Sequence, residues 1–268
     1  MKKLEVRPAK ITVIALAWAG IIGIVTTGPI ARADDSTADL PPPPPKKWES
    51  VVTAGATLTR GNSHTFLGTL SLNTKRKWTD DEALFGATAG YGENTVDTPA
   101  GKTENTTDSY IKGFGQWNHL FSPNAYAGLR IGGDHDDIAH LTYRLTVSPL
   151  IGYYFIKQTN EFLAAELGPS YIKEKFFGES EHNYIALRIG ERFEHKFASG
   201  ARIWENIEWL PKVQDFQNYL VNAEAGVSAP INKALSVSLV IQDTYKSVPA
   251  TGKQKNDLKL IAGLSYNF

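Results

Sequence analysis

The sequence contains no cysteine and a single methionine, and its 28 Lys+Arg are matched by 28 Asp+Glu. Without cysteine there is neither a disulfide framework nor a thiolate metal site. Without a basic excess there is no electrostatic footprint for nucleic acid. Walker A, glycine-rich dinucleotide and HExxH motifs are missing as well, so no cofactor, metal or catalytic residue is implied by motif. What is present is 42% hydrophobic content, too high for a disordered chain, with 23 Gly and 11% aromatics that lean toward an all-β fold.

Lys2, Lys3, Arg7 and Lys10 precede an apolar run from Ile11 to Val25, and Ala31-Arg32-Ala33 follows. A basic start, an apolar middle and an A-x-A exit make a secretory signal peptide over residues 1–33. The apolar run is short for a spanning helix, which needs about 20 residues. Removing 1–33 takes away five basic residues and one acidic residue, leaving 23 basic and 27 acidic groups, a net charge of −4. Residues 34–47 are acidic and then proline-rich, ending in the run Pro41–Pro45. Such a run forms extended polyproline II and reads as a stiff spacer in a disordered periplasmic extension.

From residue 48 the sequence alternates. Leu258, Leu260, Ala262, Leu264, Tyr266 and Phe268 share one parity, while Asp257, Lys259, Gly263, Ser265 and Asn267 share the other. Period-2 patterning of that length is a strand with one apolar and one polar face. The spacing predicts twelve strands, at about 48–60, 65–78, 83–94, 106–120, 125–135, 141–154, 161–174, 183–197, 201–210, 217–230, 234–246 and 256–268. They reach or exceed the ~9–11 residues that cross a bilayer on a tilt, whereas globular strands average ~5–6.

The links at 79–82, 121–124, 155–160, 198–200 and 231–233 read as short turns. Those at 95–105, 136–140, 175–182, 211–216 and 247–255 read as mostly longer polar loops, with 61–64 a tight exception. Turns at one end and loops at the other are the habit of an outer-membrane barrel. Aromatics at the expected strand ends agree, with Trp48, Trp78, Trp117, Phe121, Tyr126, Phe155, Phe162, Phe197 and Phe268 toward the turns. Tyr91, Tyr171, Trp209 and Tyr245 fall toward the loops, as two interfacial girdles would require. The expected fold is therefore all-β, a closed antiparallel transmembrane barrel of about twelve strands over 48–268. Closure follows from physics, because hydrocarbon cannot satisfy an open sheet edge.

The polar parity carries both charge signs: Lys75, Lys77, Arg130, Arg144, Glu166, Arg188, Arg192, Glu194, Arg202, Glu208, Glu224, Asp257 and Lys259. These groups either line a water-filled passage or pair across the lumen; twelve strands lie between filled eight-strand barrels and open porins. Arg188, Arg192, Glu194, Arg202 and Glu208 form the densest group and are the expected constriction or plug. Glu191, on the apolar parity between Ile189 and Phe193, fits a bulge, an interfacial site or a shifted register.

Asp134-His135-Asp136-Asp137 with His140 offers carboxylates and imidazoles, but at no metal-site spacing; a solvated loop top is the reading. Asn62, Ser63 and His64 are adjacent on a turn, where a nucleophile–base–orienter line is hard to build. Gly61-Asn62 is a hairpin signal.

Trp48-Glu49-Ser50 leads into Gly55-Ala56-Thr57-Leu58-Thr59-Arg60-Gly61-Asn62-Ser63-His64-Thr65. This opening resembles the family of salt-induced outer-membrane proteins (domain of unknown function 481), whose first hairpin has a Thr-x-Gly-Asn-Ser turn. The resemblance extends over 48–268, including the Asn-Phe ending. It implies the fold and the bacterial outer membrane, and supplies no substrate or catalytic residue. The sequence thus points to a non-enzymatic, porin-like barrel of the Gram-negative envelope, a narrow passive channel or envelope protein for salt or osmotic stress. Expected partners are membrane lipid, lipopolysaccharide, small solutes or ions, and the barrel-assembly machinery through the strand ending at Phe268. An enzyme acting on lipid or lipopolysaccharide and a surface adhesin are the alternatives.

Overall fold

A strand whose two faces differ in polarity folds only where one face meets oil and the other water or a packed interior. The alternating stretches satisfy that demand by closing on themselves. The structure is a computed structural model that describes residues 48–59, 63–98 and 101–268. The expected leader over 1–33, the proline-rich extension over 34–47 and the Asn62 turn lie outside the described residues.

Twelve strands are present among the described residues: β1 (Glu49–Thr59), β2 (Ser63–Lys77), β3 (Asp81–Thr98), β4 (Gly101–Leu120), β5 (Ala125–Asp136), β6 (Leu141–Lys157), β7 (Glu161–Phe176), β8 (His182–Lys196), β9 (Arg202–Lys212), β10 (Asp215–Pro230), β11 (Leu235–Lys246) and β12 (Asn256–Asn267). Each pairs antiparallel with its sequence neighbours, and β1 pairs with β12 to close the barrel. The closing seam runs from Val51↔Asn267 to Gly55↔Gly263. It is extended at one end by the reciprocal backbone bonds between Ser50 and Phe268, 3.1 and 3.0 Å long.

The expected asymmetry between short turns and long loops needs correcting. The described residues of 95–105 are strand rather than loop: β3 continues to Thr98 and β4 begins at Gly101, making strands of 18 and 20 residues. The stretch 211–216 is likewise mostly strand, since β9 ends at Lys212 and β10 starts at Asp215. Among the described residues the expected loops at 136–140 and 175–182 shorten to the links 137–140 and 177–181, and 247–255 is the longest link. Hydrogen-bond pairing continues beyond the zone where the two faces differ in polarity. There both faces can be polar, the period-2 contrast fades, and a polar hairpin reads as a loop. A register shift at Gly92/Glu93 accompanies this transition.

The outward face is a belt of exposed apolar side chains. Leu70, Ile111, Ile151, Leu260 and Leu264 are each more than half exposed. A contiguous apolar surface of that kind is foreign to a water-soluble monomer. Aromatic clusters border it. At the end holding Ser50 and Phe268, Trp48, Trp78 and Trp117 form a chain with ring centroids 6.2 and 5.2 Å apart. The Arg76 guanidinium lies 4.8 Å from the Trp78 ring and 5.9 Å from Trp48. At the opposite end Trp209, Tyr219 and Tyr245 form a second row, at 6.4 and 5.7 Å.

Glu191 sits opposite Ala165 and Ile207 in an unbroken register. It therefore faces outward and is exposed, which removes the bulge and shifted-register explanations. Glu205, opposite Phe193, occupies the same face on β9.

Candidate functional site

The inward parity brings together polar side chains from strands far apart in the sequence. At the centre is Glu166 on β7, 2% exposed. Its Oε1 accepts hydrogen bonds from Gln116 Nε2 of β4 (2.7 Å) and Tyr126 Oη of β5 (2.8 Å). Arg188 Nη1 of β8 donates to its Oε2 at 2.8 Å, and Arg192 Nη2 lies 3.1 Å from Oε1. Four groups from three other strands thus hold one carboxylate. Arg188 Nε also donates to Glu208 Oε1 of β9 at 2.6 Å. Glu208 in turn lies 3.8 Å from Arg130 Nε of β5 and accepts from Asn222 of β10 at 3.1 Å. A polar waist therefore crosses the lumen from β4 to β10.

The sequence-expected constriction residues divide between two places. Arg188, Arg192 and Glu208 belong to this waist. Glu194 and Arg202 form a separate pair at 3.4 Å nearer the turn end, with Lys196 Nζ 3.5 Å from Glu194. Glu166, which joins Arg188 to Arg192, was among the inward charges but outside the expected densest group. Gln116 was not expected here, since its uncharged side chain gives no charge signal. Tyr126, expected in the turn-side aromatic girdle, instead points inward and is fully buried, because its hydroxyl bonds Glu166 and its ring lies over Gly152.

Toward the loop end a second cross-lumen set forms. Arg144 Nε of β6 donates to Glu174 Oε2 of β7 at 2.9 Å, and Lys246 Nζ of β11 reaches Glu174 Oε1 at 3.0 Å. Lys259 Nζ of β12 meets Asp108 of β4 at 3.0 Å and lies 3.7 Å from the Tyr110 ring centroid. Above these, Ala250 of the 247–255 link packs with Leu141 of β6 and Phe176 of β7, so that link crosses the mouth from the far wall. On the turn side, Tyr154 donates to Glu82 of β3, whose carboxylate also lies 3.6 Å from Lys77. A cavity of about 170 Å³ opens there between Lys75, Lys77, Lys196 and Glu161.

Apolar and aromatic groups fill the wall between these layers. Tyr126, Leu150, Tyr154 and Ala164 form one buried cluster, and Ile172, Ala186, Leu210 and Leu220 another. The Tyr126 ring lies over Gly152, where a Cβ would come within 2.1 Å of it. The Trp204 ring covers Gly226 in the same way and donates through Nε1 to Glu224 at 2.8 Å.

The acidic loop candidates do not converge on a point. Alternation turns Asp134 inward to Arg144 (3.6 Å). Asp136 caps the turn by accepting from the Ala139 amide at 2.9 Å. His135 lies 3.2 Å from Asp137. Among the described residues no group of three or more His, Asp and Glu side chains is placed to hold a metal ion.

Ser109 also donates to Asp137, at 2.6 Å. Here the carboxylate lies between hydroxyl and imidazole, whereas nucleophilic catalysis needs the imidazole between them. In the 177–181 link, hydrogen bonds from Tyr143 and then from Lys173 hold the Glu181 carboxyl below the usual carboxylate range.

No curated protein matches the sequence. Among solved structures, the translocator domain of autotransporter NalP from Neisseria meningitidis is similar at 14% identity, over 82% of this chain and 87% of that one, with a TM-score of 0.43. The NanC porin is similar at 8% identity over 82% and 96%, with a TM-score of 0.45. The KdgM porin is similar at 9% identity over 82% and 99%, with a TM-score of 0.41. The model of the family described as "Protein of unknown function, DUF481" matches residues 52–268, and the chain belongs to that family.

Proposed function

We propose that the protein is an integral β-barrel of the bacterial outer membrane, non-enzymatic, acting as a narrow passive channel for small ions in envelope adaptation to salt. The membrane reading is supported by an apolar belt between two aromatic borders around a closed sheet. The channel reading rests on one observation above the others: the convergence of Gln116, Tyr126, Arg188 and Arg192 on Glu166 inside the barrel. Such a waist narrows the lumen at that level. It lines the route with charge that permeating ions would meet.

Planar-bilayer recording tests this reading. The processed protein, refolded and inserted, is expected to give small discrete conductance steps. Glu166→Ala, which removes the carboxylate joining Arg188 to Arg192, is expected to enlarge them. Silent bilayers with folded protein at every salt concentration would end the channel reading.

A further inference from the structure

We infer that small uncharged polar solutes, of the size of a short polyol, cross the barrel beside the waist, along a strip on β1, β2 and β3 lined by Thr53, Thr69, Ser71, Asn73 and Thr88. The inference rests on the channel reading above. It adds a second class of solute and names the wall that the solutes follow.

The interior is packed on one side and open to water on the other. From β4 to β8 the inward side chains around the waist are sealed: Gln116, Tyr126, Ser148, Leu150, Glu166 and Arg188 are each 4% exposed or less. Even the small hydroxyls there are taken, since Ser148 and Ser170 bond each other at 2.7 Å. On β1–β3 the inward side chains differ. Asn73 is exposed, and Thr53, Thr69, Ser71 and Thr88 are partly exposed. Alternation turns them inward, because Leu70, Leu72 and Phe85 between them belong to the exposed apolar face. Ser71 stands at the centre of the strip, paired across the sheet with Thr53 of β1 and Thr88 of β3.

The strip is kept clear by where its neighbours lie. The Phe114 and Tyr110 rings of β4 are laid against the wall at Gly86 and Gly90 of β3, where a Cβ would come within 2.4 Å of each ring. At the turn end the strip runs into the cavity of about 170 Å³, whose lining includes Lys75, the inward residue next to Asn73 on β2. Toward the loop end the Lys259–Asp108 pair, 3.0 Å long, joins β12 to β4 across the three strands between them. That crossbar limits the size of what passes.

The chemistry of the strip suits a neutral solute. From Asn73 to Leu67 on β2 and from Leu84 to Gly90 on β3, no inward side chain carries a charge. Hydroxyl and amide groups both donate and accept hydrogen bonds. They can replace the water that a polyol sheds on entering, because a polyol also does both.

The chain has no cysteine, so an introduced thiol reports its surroundings without background. Proteoliposomes of the folded protein are expected to admit erythritol several-fold faster than protein-free vesicles, read by swelling. Ser71→Cys should react with a water-soluble thiol reagent, read by mass, and the attached group should slow erythritol entry. Ser148→Cys, in the packed wall, should not react. Thr88→Cys and Ser170→Cys repeat the two arms if either variant fails to fold. Unreactive thiols on the strip, equal reaction on both walls, or unslowed entry after reaction would overturn the inference. Ion conductance without erythritol entry would also overturn it and leave the channel reading standing. A folded protein that passes neither ions nor erythritol would overturn both.

Discussion

Tyr126 lies across the wall strand at Gly152, with its ring where a side chain at 152 would have to be. The ring is completely buried, and its hydroxyl reaches Glu166. A glycine on β6 thereby sets the position of a waist residue on β5. Gly152→Val is expected to force ring or backbone aside and destabilise the barrel by about 1–3 kcal/mol. Urea unfolding in detergent micelles reads this, and a variant as stable as the wild type would show that the ring has another place to go.

Loss of the Glu166 carboxylate leaves Arg188 and Arg192 without a shared partner. Breaking a buried ion network from one side costs about 3–5 kcal/mol. The double variant Glu166→Leu with Arg192→Met should recover part of that loss, because each removes the other's stranded group. Additive destabilisation of the pair would argue against direct coupling.

The outward face can be tested without touching the lumen. Leu239, on β11, is exposed and flanked in sequence by the inward Ser238 and Val240. Arginine there should cost about 2–4 kcal/mol near the bilayer midplane, while phenylalanine should be tolerated. Folding yield into liposomes distinguishes them, and equal yields would mean this face does not meet hydrocarbon.

Closure of the barrel has a covalent test, because the chain has no cysteine of its own. Thr53 of β1 and Ser265 of β12 face each other at register, with hydroxyl oxygens 2.7 Å apart. Thr53→Cys with Ser265→Cys should form a disulfide on oxidation that holds β1 to β12 after heating in detergent. Failure to cross-link in the folded state would contradict the seam.

The link over the mouth predicts a gating effect. Ala250 is packed against Leu141 and Phe176. Ala250→Asp would bury an unpaired carboxylate there, which is costly enough to lift the link. Single-channel conductance is expected to rise, and an unchanged value would mean that the link does not obstruct the route.

Strand number and facing were legible in the residues. The alternation around Leu258–Phe268 put Lys259 and Asp257 inside and Leu260 and Leu264 outside, and the coordinates agree. The tall β3–β4 hairpin was not legible, because a strand with two polar faces carries no periodic signal. The waist was legible only in part. Arg188 and Arg192 stand on one strand and Glu208 on the next, so local parity grouped them. Gln116 lies 50 positions from Glu166, and nothing local links the two.

By itself the sequence determined which side of each strand meets oil, since transfer of apolar surface is a property of each residue and its parity. The tertiary structure alone decided which inward groups touch. That depends on strand tilt, register and the curvature of closure, which bring β4, β7 and β8 together across a lumen that no local pattern describes. Whether the charges cancel or leave a surplus is therefore a fact about the closed barrel.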